Sequence, residues 1–131
     1  MKRTPATATA ADTPLPPDLF DALRRLLLHH RDGLSVVHDT PEHVYANCRT
    51  PAANGKPHFF GAVKVSGRKH AFHFMPVYDF PELLADISPA LKKRMQGKSC
   101  FNFERFDAEF LAQLKTLVDA GAARYKAEGR L

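Results

Sequence analysis

A run of alternating residues, HFFGAVKVSGRKHAFHFMPVY, constrains this chain more than any other feature. Two β-rich segments, 58–66 and 69–78, meet at Ser66-Gly67-Arg68, and a short glycine-bearing turn between two such segments predicts an antiparallel hairpin. On the first segment Phe59, Gly61, Val63 and Val65 fall on one face. On the second, Phe72 and Phe74 share a face with His70, while Ala71, His73 and Met75 share the other. Both faces of the second segment are partly apolar, which places it centrally in a sheet.

The elements around the hairpin follow from caps and periodicity. Asp18 can cap a first helix in which Leu19, Phe20, Leu23, Leu26 and Leu27 recur at helical spacing, with Gly33 as the stop. LSVVHDT and HVYANCR read as strands, the second with Val44, Ala46 and Cys48 on one face. Asp79 followed by Glu82 predicts a capped short helix over 82–87. Ser88-Pro89 predicts another that runs through Met95 and stops at Gly97. SCFNF is a strand with Phe101 and Phe103 on one face and Cys100 and Asn102 on the other. Asp107 caps a last helix whose stripe is Phe110, Leu114, Leu117, Val118, Gly121 and Tyr125, with Phe106 set to staple against Leu111. The expected order is α-β-β-β-β-α-α-β-α, an α+β fold of two layers: an antiparallel sheet of about five strands packed by the N- and C-terminal helices.

Composition sets the class. The chain has 131 residues and is 44% hydrophobic, enough for one domain with a core. Residues 1–16 are rich in Ala, Thr and Pro and are expected to be a disordered tail, leaving a single domain over 17–131. The N-terminus has no apolar segment of signal-peptide type, and no apolar run reaches the ~20 residues of a membrane helix. A cytoplasmic protein with reduced thiols is expected, Cys48 and Cys100 being its two cysteines.

The segments FFGAVKV, FHFMPVY and PELLADISPALKKRMQGKSCFNF, with the closing helix, resemble the YdhG-like family of small bacterial proteins, most of them uncharacterised. The resemblance spans roughly residues 18–127 and implies the same α+β arrangement. Some relatives are described as frataxin-like iron chaperones, so an iron-binding role is an alternative reading. Iron takes carboxylate and imidazole ligands. Here carboxylates are sparse, 14 against 19 cationic residues, and no iron ligand is carried over.

The candidate chemistry is modest. Tyr45, Asn47, Arg49, Lys98, Cys100 and Asn102, with His73 at the rim, are expected to line a ligand site on the sheet face away from the phenylalanines. Polar and aromatic groups with one or two cations suit a small anionic or carbonyl-bearing ligand; the plainer reading is a solvated sheet face. A thiol enzyme using Cys100 with His73 is the catalytic alternative, against Cys100 as a packing residue. Among the histidines, His70 and His73 point to opposite strand faces, and His29 and His30, adjacent on a helix, diverge. No chelating pair and no cofactor are therefore expected. Nucleic-acid binding is not expected, because Phe59, Phe60, Phe72 and Phe74 read as core and no recognition signature is present. The resulting expectation is a non-catalytic ligand-binding or accessory module for a small anionic ligand or a protein partner, with a homodimer through an edge strand as a further option.

Overall fold

The structure is a computed structural model and describes residues 18–131. The tail expected over 1–16 lies outside the described residues. Chain order is α1 (Leu19–Leu27), a 3₁₀ segment (Leu28–Gly33), β1 (Leu34–Thr40), β2 (His43–Cys48), β3 (Phe59–Ser66) and β4 (Lys69–Phe74). Then come α2 (Met75–Asp79), a second 3₁₀ segment (Pro81–Asp86), α3 (Pro89–Lys92), β5 (Met95–Gln96), β6 (Cys100–Phe103) and α4 (Ala108–Ala127). The strands form one antiparallel sheet in the order β1-β2-β3-β4-β6-β5. The two-layer α+β architecture is as expected, with β4 central between β3 and β6.

Three caps form where local chemistry puts them. The Asp18 carboxylate accepts from the Asp21 amide at 3.0 Å, and the Ser88 hydroxyl accepts from Leu91 at 3.1 Å. Asp107 accepts from the amides of Glu109 and Phe110. Each satisfies amides that a helix start leaves open.

The departures also have local causes. β4 stops at Phe74 rather than Tyr78, because Pro76 cannot donate to a ladder and instead fits the first turn of α2. The helix expected from Ser88 to Met95 ends at Lys92, and Met95–Gln96 becomes a sixth strand against β6. A bulge between β2 and β3 sets Ala46 opposite Gly61 but Asn47 opposite Phe59. The extra residue, Phe60, enters the core fully buried. Phe59 therefore leaves the face it was expected to share with Gly61, Val63 and Val65, and stacks on Tyr45 at 4.8 Å between ring centroids. Phe110 is half-buried, and Leu111 and Ala122 join the buried stripe of α4. Phe106 remains exposed.

The core lies between the helices and one sheet face. Phe60, Phe72, Phe74 and Phe101 are fully buried there with Leu23, Leu27, Leu114 and Tyr125. Each such side chain contributes roughly 1.5–3 kcal/mol by leaving water. α4 approaches the sheet closely at Gly121, where a Cβ would lie 2.5 Å from the Phe74 ring. Cys48 belongs to this core and Cys100 to the opposite face, and both are free thiols. β1 forms one edge of the sheet, exposed beyond Leu34, with a register shift between Val36 and His38. No helix among the described residues is long and apolar enough to cross a membrane.

Candidate functional site

Strand register decides which expected site residues meet. Tyr45 pairs with Ala62, Ala62 with His73, and His73 with Cys100. The next row runs His43, Lys64, Ala71, Asn102. Tyr45, Asn47, His73, Cys100 and Asn102 thus share the face away from the core. At a strand spacing of about 4.8 Å, Tyr45 and Cys100 are about 14 Å apart, three strand spacings along the sheet. At one end His38 and His43 stack at 5.2 Å beside Tyr45 and Phe59. At the other, Asn102 Nδ2 donates to Gln96 Oε1 at 2.8 Å.

Arg49 and Lys98 do not join that face. Arg49 follows the end of β2; its amide donates to Gly33 O at 2.9 Å and its Nε reaches Leu34 O at 3.4 Å. Lys98 stands in the β5–β6 turn. Gly97 has φ of 78° there, a left-handed conformation that a side chain would strain, and the sharp reversal carries Lys98 toward α2 and α3.

Cys100 and His73 are direct neighbours across β4 and β6. Their chemistry runs against an activated thiolate. Burial pushes the Cys100 thiol up and the His73 imidazole down, so both neutral forms are favoured. The thiol's hydrogen-bond contact is a weak one, 3.9 Å to the Phe101 carbonyl. A thiolate–imidazolium pair needs both shifts reversed.

Lys98 instead helps line a groove of about 490 Å³. Val77, Leu84 and Met95 form apolar walls, the half-exposed Tyr78 stands at the rim, and Lys92 joins Lys98 as a second cation. No carboxylate lines it. Neither lysine has an ion-pair partner among the described residues. A second depression, about 410 Å³, sets Glu104 and Asp107 beside Arg94 and Arg105, so its charges offset one another. A third, about 190 Å³, is smaller and carries Asp86. An apolar groove with a few convergent polar groups is the form that small-molecule sites take.

Sequence reading missed a polar cluster at the far end of α4. The Tyr125 hydroxyl donates to Asp79 Oδ2, and Arg130 Nη1 donates to the same oxygen at 2.9 Å. His58 Nε2 lies 3.2 Å from the Tyr125 hydroxyl and 3.3 Å from Arg130 Nη1. Arg124 covers the Phe80 ring at 4.0 Å and pairs with Glu82 at 2.9 Å. Asp79, expected as a helix cap, makes no capping bond and is spent on this cluster. Burial, followed by the hydrogen bond to Asp79, holds the Tyr125 phenol far above its ordinary range. Burial also raises the neighbouring Cys48 thiol to about 11. The cluster ties the chain before β3, the end of α2 and the C-terminal segment together. Its groups are saturated by one another, which suits a lock rather than a binding site.

Comparison of the chain with protein-family models, with curated proteins and with solved structures finds no match.

Proposed function

We propose that this protein is a non-catalytic binding module for a small amphipathic anion, held in the groove between α2, α3 and the β5–β6 turn. The observation that carries the reading is the pairing of apolar walls with Lys92 and Lys98, two cations without carboxylate partners among the described residues. An apolar body would displace water from Leu84 and Met95, and a carboxylate head would accept from the two ammonium groups. The formal net charge of +5 favours approach of an anion from solution. Membership of the YdhG-like family and a cytoplasmic location belong to the same proposal, supported by the quoted segments and by the absence of a membrane-length helix among the described residues.

The test uses decanoate as the anion and decanol as its neutral counterpart. Decanoate should bind in calorimetry, with amide shifts in a two-dimensional NMR spectrum centred on Tyr78, Met95 and Lys98. Decanol should bind more weakly. Shifts centred on Tyr45 and His73 would move the site to the open sheet face and overturn the reading. So would equal affinity for decanol, because the lysines would then have no role.

A further inference from the structure

The geometry points to a binding site for a single zinc-type divalent ion formed by His29, His30 and Asp119. The adjacent histidines would diverge on a regular helix. They do not, because α1 ends at Leu27 and the chain continues as a 3₁₀ segment, kinked at His30 with φ −101° and ψ 35°. The kink brings the two imidazole rings to 5.0 Å between centroids, edge to face. α4 supplies Asp119 beneath them, and His30 Nε2 lies 2.8 Å from Asp119 Oδ1. One ligand atom from each of the three residues falls within 4.8 Å of the others.

Two imidazole nitrogens and one carboxylate oxygen suit zinc and its late first-row neighbours. Ligand atoms about 2.0–2.1 Å from a tetrahedral ion stand about 3.3 Å apart. His29 is exposed, so a rotamer change can close the remaining gap without moving the backbone. Water would complete the coordination on the solvent side. The ion would replace the His30–Asp119 hydrogen bond and clip the segment after α1 to the middle of α4.

One feature works against the ion. Lys115 Nζ holds Asp119 Oδ2 at 3.0 Å, one turn earlier on α4. Its ammonium competes for the carboxylate and repels a cation, so removing it should strengthen binding. A chance encounter of zinc with surface histidines would not respond in that way.

The experiment titrates the untagged full chain with Zn²⁺ by calorimetry, with Co²⁺ absorption to report the ligand geometry. One ion should bind per chain and raise the melting temperature by several degrees. His29→Ala and Asp119→Asn should each weaken binding by about tenfold or more, through loss of a ligand. Lys115→Met should tighten it severalfold while leaving all three ligands in place. His43→Ala removes the other close histidine pair, His38 with His43, and should change nothing. Absence of binding below millimolar Zn²⁺ would overturn the site. So would a loss on His43→Ala equal to that on His29→Ala, or an affinity that Lys115→Met leaves unchanged or lowers.

Discussion

The polar cluster around Asp79 and the groove around Lys98 both draw on the same short segment, α2 to α3, and differ in one respect. In the cluster every charge has a partner: Asp79 takes Tyr125 and Arg130, and His58 bridges the pair. In the groove Lys92 and Lys98 face apolar walls and no acid. A saturated network holds a fold, because removing any member leaves its half-buried neighbours unmatched. An unsaturated pair of cations adds little to the fold and keeps its capacity for a ligand. Both contain lysine, arginine, tyrosine or histidine, so residue type alone does not separate them. Partnership does.

The largest effect that can break this contrast is on stability. Asp79→Ala leaves the Tyr125 hydroxyl and Arg130 without their shared acceptor, and should cost about 2–3 kcal/mol in urea unfolding. A loss below about 0.5 kcal/mol, the size of an ordinary surface substitution, would show that water replaces the carboxylate freely and that the cluster is no lock. The cluster also has a built-in reporter. Cys48 is buried beside it with its thiol pushed up to about 11, so it should react slowly with a thiol reagent at neutral pH. In a Cys100→Ala background, Asp79→Ala should speed that labelling by about tenfold or more, since each 1.4 kcal/mol lost raises the open population tenfold. Unchanged labelling alongside lost stability would place the loosening elsewhere than around Cys48.

The contrast was partly legible in the sequence, and the legible part was the local part. Period-two alternation assigned Phe72, Phe74, Phe101 and Phe103 to the core, and the caps at Asp18, Ser88 and Asp107 were readable because each bond spans two or three residues. The open face carrying Tyr45, His73, Cys100 and Asn102 followed from the same alternation. What failed depends on longer reach or on one-residue slips. A bulge at Phe60 sends Phe59 to the other face, and alternation alone cannot register an inserted residue. The Asp79 cluster joins positions 58, 79, 125 and 130, whose separations follow no helical or strand period. Asp79 therefore looked like a cap, which is the best local use of an aspartate before Pro81 and Glu82. Lys98 was assigned to the sheet face because it precedes Cys100 by an even step, but the Gly97 turn lies between it and the strand.

The open sheet face stands between the cluster and the groove, since its groups are half-buried without being fully partnered. Burial holds His43 and His73 below the ordinary imidazole value, and His38 and Lys64 add to the effect at His43. As pH falls through about 6.5 the unfolded chain binds these protons first. Their contribution is therefore intact above that value and is lost as pH drops toward the folded values. The melting temperature should decline as pH falls below about 6.5, and His73→Leu should make that decline shallower. A slope unaffected by His73→Leu would mean that the imidazole is solvated in practice and that this face resembles the groove more than the core.

The smallest expected change in stability is the most telling for function. Lys92→Gln and Lys98→Gln keep most of each aliphatic stem and remove the charge. Neither lysine is in an ion pair among the described residues, and both are exposed, so each substitution should alter unfolding free energy by less than about 0.5 kcal/mol. Removing like charge from a chain of net charge +5 also lowers its self-repulsion. Decanoate binding should respond in the opposite proportion. Loss of one charge-assisted contact is worth about 1.5 kcal/mol, or roughly tenfold in affinity, and the double variant should lose most of the preference for decanoate over decanol. A double variant that is clearly destabilised would mean that these ammonium groups already have a structural partner, and the distinction between saturated and unsaturated polar groups would no longer locate the site. A double variant with full stability and an unchanged preference would place carboxylate recognition on another group and overturn the role given to the two lysines. Stability and binding must therefore be measured on the same variants, because only their divergence separates a ligand's cations from the fold's.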